Sequence, residues 1–127
     1  MTVATKVEWL EQLPSDCPPN SAYPPEDFVC FRLMSFDPPH IEDFYSQRKL
    51  NPQKTYKTSE CRARSLSILS DLNSLEDMKK FPTLRNKIPF KITLSPESGP
   101  IMQTGKPSHY SWWVKANYQK HILLEAV

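Results

Sequence analysis

Proline limits what this chain can become more than any other residue: 13 of its 127 positions are proline and only 2 are glycine. A proline fixes φ and has no N–H to donate, so it stays out of helix interiors and central strands and marks where elements stop. Seven of the prolines fall in the first 39 residues. The segment DCPPNSAYPPED (16–27) holds two Pro-Pro pairs and predicts an extended, polyproline-like strap. Before it, Val7, Trp9, Leu10 and Leu13 predict one or two amphipathic helical turns that Pro14 ends. Residues 1–27 therefore read as an N-terminal arm on a single domain, 28–127. Gly99 and Gly105 are too few and too far apart for the backbone cradle of a P-loop or a Rossmann turn.

After the arm the apolar period becomes that of a strand. FVCFRLM (28–34) alternates Val29, Phe31 and Leu33 with Cys30, Arg32 and Met34. Asp37 and Pro38 open a predicted helix through HIEDFYSQRKL (40–50), which Asn51-Pro52 ends, and residues 51–64 read as a polar, basic loop. SLSIL (65–69) predicts a short strand, followed by a helix over 74–80 with Leu75, Met78 and Phe81 on one face. Asn73 and Glu76 have the spacing of a capping box at its start, and Pro82 closes it. PFKITL (89–94), IMQT (101–104), YSWWV (110–114) and HILLEA (121–126) predict four more strands, separated by short turn-rich segments. The expected class is α+β, a mainly antiparallel sheet of five to six short strands carrying two helices.

Net charge is +2, but residues 1–60 sum to −3 and residues 61–127 to +5. The densest basic stretch contains Arg48, Lys49, Lys54, Lys57, Arg62 and Arg64, a candidate contact for an anion or a nucleic-acid backbone, or simply a solvated loop. No run approaches the roughly 20 apolar residues needed to cross a bilayer, and the N-terminus lacks a basic region followed by an apolar block, so a cytoplasmic location without membrane contact is expected. Cys17, Cys30 and Cys61 follow no paired spacing and predict reduced thiols and no metal site. His40, His109 and His121 match no metal or nucleophile motif and read as satisfied or exposed side chains.

Three polar intrusions interrupt the strand patterns. Arg32 shares a face with Cys30 and Met34, where a guanidinium must reach solvent or meet an anion. Ser65 and Ser67 share one face of their strand, and Glu125 lies on a face with His121 and Leu123. In chain order these make a strand with an arginine, a helix, a Ser-x-Ser strand running into a helix, and later strands ending in a glutamate. That layout over 28–127 resembles the mono-ADP-ribosyltransferase-like fold. The resemblance implies NAD as cofactor, Arg32 on its phosphates and ribose, Ser65 and Ser67 on the nicotinamide-ribose side, and Glu125 as the catalytic carboxylate. A carboxylate fixed beside the ribose would stabilise the positive charge that develops as the glycosidic bond breaks. The sequence departs from the family pattern at Leu123, two before the glutamate, and in the Ser-Leu-Ser-Ile order of the serine strand.

The segment SHYSWWV puts Tyr110 and Trp112 on one face and Ser111 and Trp113 on the other. Such a strand is buried on both sides, or it offers Tyr110 and Trp112 as a platform for a nicotinamide, a base or a partner protein. Three functions remain open: an NAD-dependent ADP-ribosyltransferase or glycohydrolase, a single-strand nucleic-acid-binding module gripping with Arg48, Lys49, Arg62 and Arg64, and a small interaction or inhibitor protein using the proline-rich arm.

Overall fold

The computed structural model describes residues 7–127. Six strands form one antiparallel sheet: β1 (Phe28–Met34), β2 (Leu66–Leu69), β3 (Ile88–Leu94), β4 (Ile101–Gln103), β5 (His109–Trp112) and β6 (Ile122–Ala126), in the order β4-β5-β2-β1-β3-β6. The helices are short: α1 (Gln47–Leu50), α2 (Glu60–Ala63) and α3 (Leu72–Lys79), with 3-10 turns at Ile41–Phe44, Pro96–Ser98 and Tyr118–Lys120. The α+β class with a mainly antiparallel sheet is as the alternation predicts. No described helix is long and apolar enough to cross a membrane.

Strand alternation sorts the residues onto two faces. One face carries Cys30, Met34, Leu66, Ile68, Phe90, Ile92, Leu94, Ile101 and Trp112, all buried, and is closed by Phe44, Val114 and Tyr118. Phe44, Trp112 and Tyr118 meet there edge-on or tilted, with ring centroids 4.6–6.3 Å apart. Burial pushes the Cys30 thiol up to about 12, with the Arg32 charge pulling it back. The opposite face is covered only in part, by α3 packed on β1 and β2 through buried Leu75.

Several local expectations are corrected. Residues 7–13 form no helix: Trp9 bridges Lys115, the Leu10 N–H donates to the Val114 carbonyl, and the Ala116 N–H donates to the Glu8 carbonyl. Backbone donors at a sheet end thus satisfy this segment better than an isolated helix of one or two turns. The arm continues past β4, where Tyr23 bridges Ile101, so its described part packs on its own domain. The long helix over 40–50 is broken at Tyr45, where the backbone is extended and α1 restarts with Ser46 as its cap. Residues 51–64 are not all loop, since Ser59 accepts from the Arg62 N–H and starts α2. Helix α3 begins earlier than predicted, capped by Asp71 on the Ser74 N–H at 2.7 Å instead of by Asn73.

The thiol expectation also changes: Cys17 and Cys61 form a disulfide across 44 residues, and only Cys30 is free and buried. A second tie joins the arm to the domain. Buried Glu11 accepts from the Ser46 N–H at 2.7 Å and the Ser46 hydroxyl at 2.6 Å, fixing the arm against the start of α1.

Candidate functional site

The centre of the sheet is imperfect, and the imperfection is built around Arg32. Strands β1 and β2 share one aligned pair, Phe31 opposite Leu69. A continuing antiparallel ladder would set Leu33 opposite Ser67, but there the strands part. Arg32 fills the gap: its Nη1 donates to the Ser67 carbonyl at 2.8 Å and its Nε to the Asp43 carbonyl at 3.2 Å. The guanidinium thus replaces a missing ladder bond and leaves three further N–H groups of the five it carries. Arg32 is half-buried and enters no ion pair among the described residues. The nearby Asp43 carboxylate is taken by the Ser35 and His40 N–H groups at 2.7 and 3.1 Å. Burial pushes the Arg32 pKa down to about 10, against the pull of Asp43 and then Cys30, and the group stays cationic at neutral pH.

Arg32 starts from the core face with Cys30 and Met34, and through the gap between β1 and β2 its guanidinium joins the wall of a cleft on the partly covered face. A hollow of about 240 Å³ lies between β1, β2, α1 and α3, bounded by Phe31, Arg32, Tyr45, Ser67, Leu75 and Lys87. A second, of about 380 Å³, opens beside it under Tyr56, Lys57 and Arg62. A third, of about 510 Å³, lies towards Met78, Phe81 and Lys106. Ser65 and Ser67 line the first two, Arg62 the second and third, and His109 all three. The charged side chains along this wall are Arg32, Lys87, Lys57, Arg62 and Lys106, against one carboxylate, Asp77, which pairs with Lys80 at 3.1 Å. A cleft walled this way attracts anions.

His109 stands where the hollows meet, and its ring is oriented. Nδ1 lies 3.0 Å from the Thr104 carbonyl and 3.0 Å from the Thr104 hydroxyl, which lies 2.8 Å from the buried Ser111 hydroxyl. A carbonyl can only accept, so Nδ1 carries the proton and Nε2 keeps its lone pair. Burial holds the His109 pKa below the usual histidine range, helped by the Arg62 charge and opposed by the Thr104 carbonyl bond. Gly105, at φ +68, makes the β4–β5 turn that brings Thr104 to the ring, and Arg62 packs over it.

Arg32, Ser65 and Ser67 are therefore brought together as the resemblance implies. Glu125 is not with them. It lies on β6, the far edge of the sheet, opposite Lys91 and 3.6 Å from that ammonium. Strands β1 and β3 intervene between β2 and β6, so at about 4.8 Å per strand Glu125 is on the order of 14 Å from the serines. Tyr110 and Trp112 are no platform for a ligand in the cleft, because they project to the opposite face. There Trp112 is fully buried with its Nε1 on the Ser98 carbonyl, and Tyr110 packs on Phe28 with ring centroids 4.9 Å apart. Trp113, on the cleft side of its strand, is buried too and donates to the Cys61 carbonyl at 2.9 Å.

The basic stretch is largely used inside its own loop. Arg48 and Arg64 both bind Glu60, Arg48 also donates to the Pro52 and Lys54 carbonyls, and Lys49 sits over the Tyr45 ring. Of this stretch, Lys57 and Arg62 face the cleft. Among the described residues no three His, Cys, Asp or Glu side chains cluster as a metal-ligand set. His109 lay just outside the strand predicted from residue 110 and matched no motif, and nothing local to it showed that Thr104 would fix its tautomer.

Comparison with known protein families, curated proteins and solved structures finds no match for this chain.

Proposed function

We propose that the cleft binds a phosphorylated small molecule of the dinucleotide class, with NAD as the candidate suggested by the resemblance to mono-ADP-ribosyltransferases. The observation that carries the reading is Arg32: a half-buried guanidinium without a carboxylate partner among the described residues, at the wall of a cleft whose other charged groups are almost all cations. A diphosphate would take the remaining N–H groups and the Lys87 charge, and the exposed Ser67 hydroxyl stands beside them to meet a sugar. A transferase or glycohydrolase would add a nicotinamide-releasing step to binding. That step requires an anion beside the ribose, and Glu125 is three strands from the serines. The reading is therefore of a binding site first.

The Cys17–Cys61 bridge supports an oxidising compartment over the cytoplasm expected from reduced thiols.

Calorimetric titration with NAD and ADP-ribose tests the proposal. Saturable binding is expected, weaker at high salt, and reduced about tenfold by Lys87→Ala through loss of one charge-assisted contact. Lys87 is half-buried, but its ammonium donates to the Ser35 hydroxyl at 2.8 Å and to neither carbonyl of the seam, so this variant keeps the bonds at Arg32 intact. Failure of both ligands to bind overturns the reading.

A further inference from the structure

Every charged group in the cleft except Asp77 is a cation with only donor groups to offer, and Asp77 is held at the rim by Lys80. One group at the centre does the opposite. The Thr104 carbonyl holds the His109 proton on Nδ1, and Nε2 has no protein partner among the described residues. A neutral imidazole fixed this way offers a lone pair in the middle of a donor-lined site.

We infer that His109 is the specificity-determining contact of the cleft, its Nε2 accepting a hydrogen bond from a hydroxyl of the bound molecule, so that the site selects a sugar-bearing phosphate over an anion without a hydroxyl. The inference rests on the anion-binding reading above and deepens it. Three features of the fold support the assignment. His109 borders all three hollows, so a ligand extending from Arg32 into either neighbouring hollow passes the ring. The ring is held through Thr104, itself bonded to Ser111, so the acceptor is oriented before a ligand arrives. Ser67 stands opposite Ser111 and Leu69 opposite His109 in the β2–β5 register, which makes Ser67 a diagonal neighbour of the ring on the same face. A hydroxyl between Ser67 and His109 would accept from one and donate to the other, the pairing a sugar hydroxyl can make and a bare phosphate diester cannot.

Protonation reverses the role of the ring: Nε2 becomes a donor and the cleft gains a positive charge. The charged groups sharing the hollows with His109 are Arg32 on β1, Lys57 before α2, Arg62 on α2, Asp77 on α3, Lys87 before β3 and Lys106 in the β4–β5 turn. The phenols of Tyr45 and Tyr56 also border them.

The test compares ADP-ribose with dimethyl diphosphate, which has the same two negative charges and no hydroxyl, by calorimetry at pH 8 and at one pH unit below the His109 midpoint read by NMR. The wild type is expected to prefer ADP-ribose at pH 8. Acidification is expected to lower that preference at least threefold, with dimethyl diphosphate binding more tightly. His109→Phe is expected to lower the preference similarly at pH 8 and to abolish its pH dependence. If that variant fails to fold, the wild-type pH comparison still decides. A preference unchanged by both acidification and His109→Phe overturns the inference while the anion site stands, and no binding of either probe overturns both.

Discussion

The Arg32 guanidinium donates to the Ser67 carbonyl at 2.8 Å, across the place where β1 and β2 stop pairing. One side chain therefore closes the sheet and supplies the cleft with its deepest positive charge. Arg32→Met removes both roles and leaves the Ser67 and Asp43 carbonyls without these donors. The expected loss is about 2–3 kcal/mol of stability, from two hydrogen bonds to a charged group, together with loss of anion binding. Arg32→Lys keeps the charge but cannot span both carbonyls with a planar fork, so it should recover more binding than stability. Urea unfolding and ligand titration of the two variants separate these effects, and an Arg32→Met protein as stable as the wild type would show that the seam does not depend on this residue.

The Cys17–Cys61 bridge closes a loop of 44 residues, and Cys61 lies in α2 beside Arg62 on the cleft wall. By the chain-entropy argument its removal costs up to about 4 kcal/mol, less where the arm stays docked. Cys17→Ser is expected to lower the unfolding midpoint without changing the helix and strand content seen by circular dichroism, because Glu11, Trp9 and Tyr23 still hold the arm. An unchanged midpoint would mean that the bridge contributes nothing measurable.

The fold was more legible in the sequence than the site. Period-two alternation located all six strands to within one or two residues, because buried Cys30, Ile92, Leu94 and Ile68 recur on one face. Arg32 was legible as an anomaly, since a guanidinium between two buried positions must be satisfied somewhere. What the sequence could not supply were relations between distant segments. Cys17 and Cys61 have no local spacing to betray them, and Glu11 finds Ser46 only after folding. Glu125 was drawn towards the serines by chain order, but strand order separates them. Tyr110 and Trp112 stayed open to both a core and a platform reading because large aromatics serve cores and surfaces equally well, and only the packing of both faces decides.

Glu125→Gln is expected to leave ligand affinity unchanged. The carboxylate is exposed, pairs with Lys91 at 3.6 Å, and stands outside the cleft. An exposed ion pair of this kind contributes about 0–1 kcal/mol, so stability should shift by no more than that. A large loss of NAD or ADP-ribose affinity in this variant would return Glu125 to the site and call for a rearrangement of β6.

Glu11→Ala should loosen the arm. The carboxylate accepts two bonds from Ser46 at 2.6 and 2.7 Å in a buried setting, and truncation leaves the Ser46 N–H unsatisfied. A loss of about 1–3 kcal/mol is expected. Limited proteolysis should then cut within residues 7–16, ahead of the disulfide, faster than in the wild type. Equal protection in both proteins would place the hold on the arm with the Trp9 and Tyr23 bridges instead.

Stability itself should carry the signature of His109. Its folded pKa lies below the ordinary histidine value, chiefly because the ring is buried. At pH values between the folded and unfolded pKa the unfolded chain binds more protons than the native one, so stability rises with pH there. The contribution is complete above the unfolded value near 6.5 and is lost progressively as pH falls towards and through the folded pKa. His109→Phe removes the titrating group, so a difference plot of unfolding free energy against pH, wild type minus variant, should be flat above about pH 7 and fall on the acid side. A difference that rises on acidification would mean the folded pKa is raised, and that the ring enters the cleft as a cation like its neighbours.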